Sequence, residues 1–133
     1  MLYRCHFRLP LALGFLGGLL FAVMWPQAAP AQQALSFKED VFPILQIRCV
    51  DCHQPGGKGY QESGLDLQTY EGLMKGTKHG AIVVAGSAFT SNLVAVIDRR
   101  TDRKIWMPHG KKKLSKCERQ SIRFWINQGA RNN

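Results

Sequence analysis

An all-α domain of three to five short helices joined by long loops is the fold this sequence predicts, and three observations carry it. Ser36-Phe37-Lys38-Glu39 and Ser115-Lys116-Cys117-Glu118 are both capping boxes, in which a serine caps a helix and a glutamate three residues on answers it. The apolar residues that follow recur at helical spacing: Phe37, Val41, Ile44 and Leu45 after the first box, Ile122, Trp125 and Ile126 after the second. The stretch from Gly80 to Gly86 is rich in β-branched residues and could be extended, but one such segment does not make a sheet.

The elements follow in order. Pro43 lacks an N–H and crowds the preceding turn, so it kinks the first helix or marks a restart near Asp40. A loop is expected from about Gln54 to Gln68; it holds the glycine-rich run Pro55-Gly56-Gly57-Lys58-Gly59. Thr69 caps a short helix that carries Leu73 and Met74 and ends near Gly76. Ser91 caps another, through Leu93, Val94 and Ile97. From Arg99 to Lys113 no apolar period is present and a loop is predicted. The last helix opens at Ser115, with Gly129 as its C-cap.

Composition bounds the class. With 133 residues, 45% apolar and 20% charged, the chain is a single folded domain rather than a disordered one. Four cysteines are too few for a disulfide-stapled miniprotein. Residues 1–31 read as a secretory signal peptide: Arg4 and Arg8, an uncharged run of 17 residues from Leu9 to Trp25, then Ala29-Pro30-Ala31. Cleavage is expected after Ala31, with Ala34 as the alternative site. The competing reading is an uncleaved anchor, which would be the chain's one membrane contact. The folded domain is then 32–133.

The decisive motif is Cys49-Val50-Asp51-Cys52-His53. Cys-x-x-Cys-His is the attachment signature of a c-type haem. Each thiol adds to one vinyl group, and residues i, i+3 and i+4 share one helical face, so both sulfurs and the imidazole are presented together. By chance this pentad would arise about 0.004 times in a chain of this composition. A zinc site needs four ligands, and only His79, His109 and Cys117 remain, scattered singly. A redox Cys-x-x-Cys needs a βαβ setting, and a plain disulfide leaves His53 unexplained. One haem c, with His53 as proximal iron ligand, is therefore expected.

The sixth ligand is expected to be Met107. It lies in the loop between two helices, and Pro108 stiffens it. A thioether there favours ferrous iron relative to a second imidazole. Met74, beside Leu73 in a short amphipathic helix, reads as core filler. His109 and, more weakly, His79 are the rivals; otherwise both are exposed loop residues.

These features together resemble a small monohaem, class I-like cytochrome c. The order of a capped helix, the haem pentad, loops, Trp106-Met107-Pro108 and the ending Ile122-x-x-Trp125-Ile126-x-x-Gly129-Ala130 is similar to the Planctomycete-type cytochrome c domain. So are Phe42-Pro43-Ile44-Leu45 before the pentad, Gly64-Leu65-Asp66-Leu67 after it, and Gly86-Ser87 before Ser91-Asn92-Leu93. One departure is Ala85-Gly86 where the family has Pro-Gly. The resemblance implies a cytochrome c-like fold wrapped around one covalent haem through Cys49 and Cys52, with His53 proximal and Met107 distal. It also implies that the first and last helices cross, setting Phe37, Val41 or Leu45 against Ile122, Trp125 and Ile126. Trp106 and Trp125 either donate to a haem propionate or pack in the core or rim.

The function expected is single-electron transfer in the periplasm, as a soluble carrier or a small subunit of a redox complex. The alternative is a haem sensor or small-ligand binder with a displaceable sixth ligand. No arrangement for catalysis by the protein itself stands out. Charge points to the partner. Arg99 to Arg123 holds ten basic residues against Asp102 and Glu118, whereas Gln32 to Asp98 holds five basic and seven acidic ones. An acidic docking surface on a redox partner is expected to meet Arg99, Lys104, Lys111, Lys112 and Lys113. Export makes nucleic acid a poor partner for this charge.

Overall fold

The computed structural model describes residues Gln33–Asn133; the secretory segment expected at 1–31 lies outside them. A π-helical turn, Phe37–Val41, runs into α1, Phe42–Arg48. Then come α2 (Lys58–Ser63), α3 (Tyr70–Lys75), α4 (Asn92–Asp98), a 3₁₀ turn at Arg103–Ile105, and α5 (Lys116–Asn127). Among the described residues no strand forms; Thr77 and Gly80 make an isolated bridge that closes a turn. None of these helices is long and apolar enough to cross a membrane.

The start signals work, with one substitution of roles. The Ser36 hydroxyl accepts from Glu39 N at 3.2 Å, but the carboxylate that takes Ser36 N–H belongs to Asp40, at 2.8 Å. Pro43 sits in the first turn of α1, where the missing N–H costs nothing, and the helix changes from π to α at that point. At Ser115 both halves of the capping box are present. Thr69 caps α3 through Gly72 N at 3.0 Å. Ser91 stands at the start of α4 but makes no cap bond. Its hydroxyl accepts from Val84 N and donates to Ser87 O, pinning the preceding loop.

The loop expected from Gln54 to Gln68 contains α2. This helix buries none of its side chains and so shows no apolar period; Gly57 begins it and Gly64, at φ +72°, ends it. The last helix stops one residue earlier than expected, with Gln128 at the cap and Gly129 (φ +103°) just beyond.

The core gathers Val41, Leu45, Leu73, Val94, Ile97, Leu114, Ile122, Trp125 and Ile126, all essentially inaccessible. The first and last helical segments meet there. The contact is made by the π turn: Phe37 packs tilted against Trp125, ring centres 5.5 Å apart, and edge-on at 5.2 Å on Tyr70. Tyr70 in turn donates its hydroxyl to Ala130 O at 2.8 Å. Leu35 N–H donates to Gln128 Oε1 and Lys38 N–H to Asn133 O, which lays the two ends of this unit side by side.

Candidate haem-attachment site

Beyond α1 the chain goes on coiling. Cys49 and Val50 N–H both donate to Leu45 O, at 2.8 and 3.0 Å, and Cys52 and His53 N–H both donate to Cys49 O, at 3.1 and 3.0 Å. One coil therefore carries Cys49, Cys52 and His53, as the pentad's spacing requires. Cys49 is half-buried, Cys52 is exposed and His53 is buried.

The histidine lies directly against α2. A Cβ added at Gly59 would lie 2.7 Å from His53 Cε1, and one at Gly57 only 2.4 Å from Cys52 O, so both glycines are places where backbone meets the motif directly. Tyr60 N–H donates to Cys52 O and Leu67 N–H to His53 O. The imidazole Nδ1 is buried with no hydrogen-bond partner. Burial pushes the His53 pKa down from 6.5; the Leu65 main chain beside the ring works weakly in the other direction. The ring is thus neutral near pH 7, the form that binds a metal through nitrogen.

Burial also raises the Cys49 thiol to about 11, against the lowering influence of Arg48 and Lys111. A redox-active Cys-x-x-Cys depresses a thiol instead, and the rise at Cys49 runs against that reading. One half-buried and one exposed thiol with a buried imidazole on one coil are a donor set that fits a covalent haem c.

Met107 lies on a different part of the chain, in the loop between the 3₁₀ turn and α5. Its side chain is half-buried against the core, its N–H donates to Val96 O at 3.2 Å, and the Met107–Pro108 bond is cis. Its neighbours Trp106 and Pro108 line a cleft with Arg99, Arg103, His109 and Lys111. His109 and His79 are exposed, and Met74 is half-buried against the core. Both indoles are already engaged, Trp106 Nε1 donating to Thr101 O and Trp125 Nε1 to Arg131 O, each at 2.9 Å.

The basic stretch is less free than its composition suggests. Asp98, at the end of α4, is nearly buried. Its carboxylate takes Arg119 Nε at 3.0 Å, the Arg123 guanidinium, and Arg100 Nε at 4.0 Å. Lys113 donates to the carbonyl of the same residue at 2.8 Å. Lys111 faces Asp51, inside the haem pentad, at 3.8 Å. Arg99 and Arg103 lean on the Trp106 ring, 5.0 and 5.9 Å from its centre. Three of the ten cations are thus paired with the Asp98 carboxylate and Lys113 is tied to its carbonyl, and composition counts charge without seeing which of it is paired. Sequence reasoning also assigned no role to Arg48, Gly59 or Asp98; only the glycine-rich run around Gly59 stood out.

Residues 49–109 match the family described as Planctomycete cytochrome C. The match opens on the first cysteine of the pentad and closes two residues past Met107. It bears out the resemblance to a cytochrome c-type domain, a kind of domain that carries covalently bound haem c and serves haem-based electron transfer. No curated protein and no solved structure matches the chain.

Proposed function

We propose that this protein is an exported, periplasmic carrier of single electrons, free or as a small subunit of a redox complex. One haem c would be held by thioethers to Cys49 and Cys52, with His53 and Met107 as axial ligands. The observation that carries this reading is the single coil that presents Cys49, Cys52 and a buried His53 against which Gly59 lies closely. The family match that begins at this coil supports it.

When bound, the haem supplies the one-electron couple; the chain supplies attachment, orientation and the surrounding dielectric. Cys49 and Cys52 anchor. Gly59 and Gly57 let the backbone close on the ring and on the Cys52 carbonyl, which fixes the direction of His53. Met107, half-buried beside α4, offers a soft thioether that favours ferrous iron. The core of Val41, Leu45, Ile122, Trp125 and Ile126 keeps the interior dry.

Attachment and ligation are tested separately. Haem should resist acid-acetone extraction from the wild type and be lost from Cys49→Ala/Cys52→Ala; extraction from the wild type would refute covalent attachment. Met107→Ala should convert a low-spin ferric haem to a high-spin or water-ligated one, with a lower potential. Met74→Ala should leave the spectrum as it was. A Met107→Ala protein with an unchanged low-spin spectrum would move the sixth ligand to another residue, His109 first.

A further inference from the structure

Two parts of the chain that lie far apart in sequence are tied together by one side chain. Arg48 is the last residue of α1 and directly precedes Cys49. Its Nη2 donates to Lys112 O at 2.9 Å and reaches Lys113 O at 3.5 Å, while its Nε stands 3.6 Å from Glu118 Oε1. Glu118 is itself engaged in the cap of α5, taking Ser115 N–H at 2.6 Å. Beside this, Lys111 reaches Asp51 at 3.8 Å. The segment after Met107 is thus fastened to the attachment coil at two points, the inner one through a guanidinium only about a quarter exposed. The other root of the loop is fastened to α4, by Met107 N–H on Val96 O and by Lys113 Nζ on Asp98 O.

We infer that Arg48 is a positioning residue for the sixth ligand: it holds the Met107 loop on the coil that carries Cys49 and His53, so that both axial ligands share one frame. The inference rests on Met107 as ligand. A planar guanidinium suits the task, because its fixed fork aims Nη2 at the two carbonyls while Nε, which makes no hydrogen bond, faces the Glu118 carboxylate as an ion pair. A lysine also carries three donors, but its flexible stem does not fix their directions, so it should hold these groups less well. No strand or helix otherwise joins residues 110–113 to the coil, so without Arg48 the loop keeps its α4 tie and the exposed Lys111–Asp51 pair, which is worth little.

The test is displacement of the methionine by exogenous imidazole in the ferric holoprotein, followed as loss of the Met-to-iron charge-transfer band. Imidazole can bind only when Met107 leaves, so its rate and affinity report the open loop. Losing one charge-assisted hydrogen bond should raise imidazole affinity about tenfold in Arg48→Gln. Arg48→Lys should recover only part of this, and Lys111→Gln should change it less than twofold. Thr69→Ala removes the cap of α3 and lowers stability without touching the loop, so it should leave imidazole binding unchanged.

The outcomes separate the two claims. If wild type binds imidazole as readily as Met107→Ala, the ligand assignment fails. If wild type resists, Met107→Ala binds, and Arg48→Gln behaves as wild type, the positioning role fails alone. Should Arg48→Gln not accumulate, Arg48→Lys decides: imidazole binding equal to wild type overturns the inference, and a severalfold rise sustains it. If Thr69→Ala raises binding as much as Arg48→Gln does, the effect is general stability and the positioning role is overturned.

Discussion

The coil at 48–53 and the loop at 99–113, each of which supplies one iron ligand in the function proposed above, are built in different ways. The coil is local. The N–H bonds that coil it span three to five residues, its three functional side chains follow from their spacing, and its flanking helix begins within five residues of His53; the longer bonds from Tyr60, Leu67 and Arg48 are added to a turn already formed. The loop has no apolar period and only one short 3₁₀ turn; it is held by contacts that reach across the chain, to Val96, Asp98, Arg48 and Asp51. Local structure forms cheaply and tolerates change elsewhere. A loop held at a distance depends on every anchor.

That contrast can be challenged from both sides. In chain produced without haem, Cys49 and Cys52 should differ sharply although they belong to one coil. A thiol raised from 9.0 to about 11 holds ~100-fold less thiolate at pH 8, so alkylation mapped by mass spectrometry should reach exposed Cys52 far ahead of Cys49. The sign carries over to stability. A raised thiol contributes stability that is complete below pH 9 and is lost as pH climbs through 11. The haem-free chain should weaken in that window. A protein with Cys49 in a thioether should not lose this contribution. Equal alkylation rates would mean that the coil is open in solution.

On the loop side, Asp98→Asn removes the carboxylate that Arg100, Arg119 and Arg123 share. The expected cost is about 2 kcal/mol, read from denaturant midpoints, because these cations remain partly hydrated while Asp98 is nearly buried. Amide exchange should rise most at residues 99–113 and least at 49–53. Uniform exchange would erase the distinction between the regions. Gly59→Ala tests the coil in turn. The new methyl must displace the His53 ring or α2, at about 1–2 kcal/mol, and should shift the haem spectrum as well as the midpoint.

The smallest effect concerns charge. Changing Lys111, Lys112 and Lys113 to Gln should slow electron transfer with the physiological partner several-fold at low ionic strength and hardly at all at high salt. Arg119→Gln and Arg123→Gln, whose charges are spent on Asp98, should slow it less per charge removed. A rate indifferent to salt would reduce the basic loop to a solvated surface.

Where adjacent residues set the outcome, reading the sequence was enough. Two serines three residues ahead of glutamates opened helices, Pro43 marked the change in the first of them, and the pentad placed two sulfurs and an imidazole on one coil. These depend on bond geometry and on hydrogen bonds within a few residues. The all-helical class followed in the same way. What needed the folded chain was pairing at a distance. Helix α2 has no apolar face, so no pattern announced it; its worth lies in Gly59 meeting His53. The Ser36 hydroxyl kept its role while Asp40, not Glu39, closed the cap, because the first turn widened to a π turn. Ten basic residues looked like one exposed field until Asp98 gathered several of them. Arg48 looked like an ordinary charged residue ahead of a cysteine until its guanidinium was found on the carbonyls of Lys112 and Lys113. A charge's partner depends on which segments the core brings together, and nothing in the order of residues near Arg48 or Asp98 encodes that.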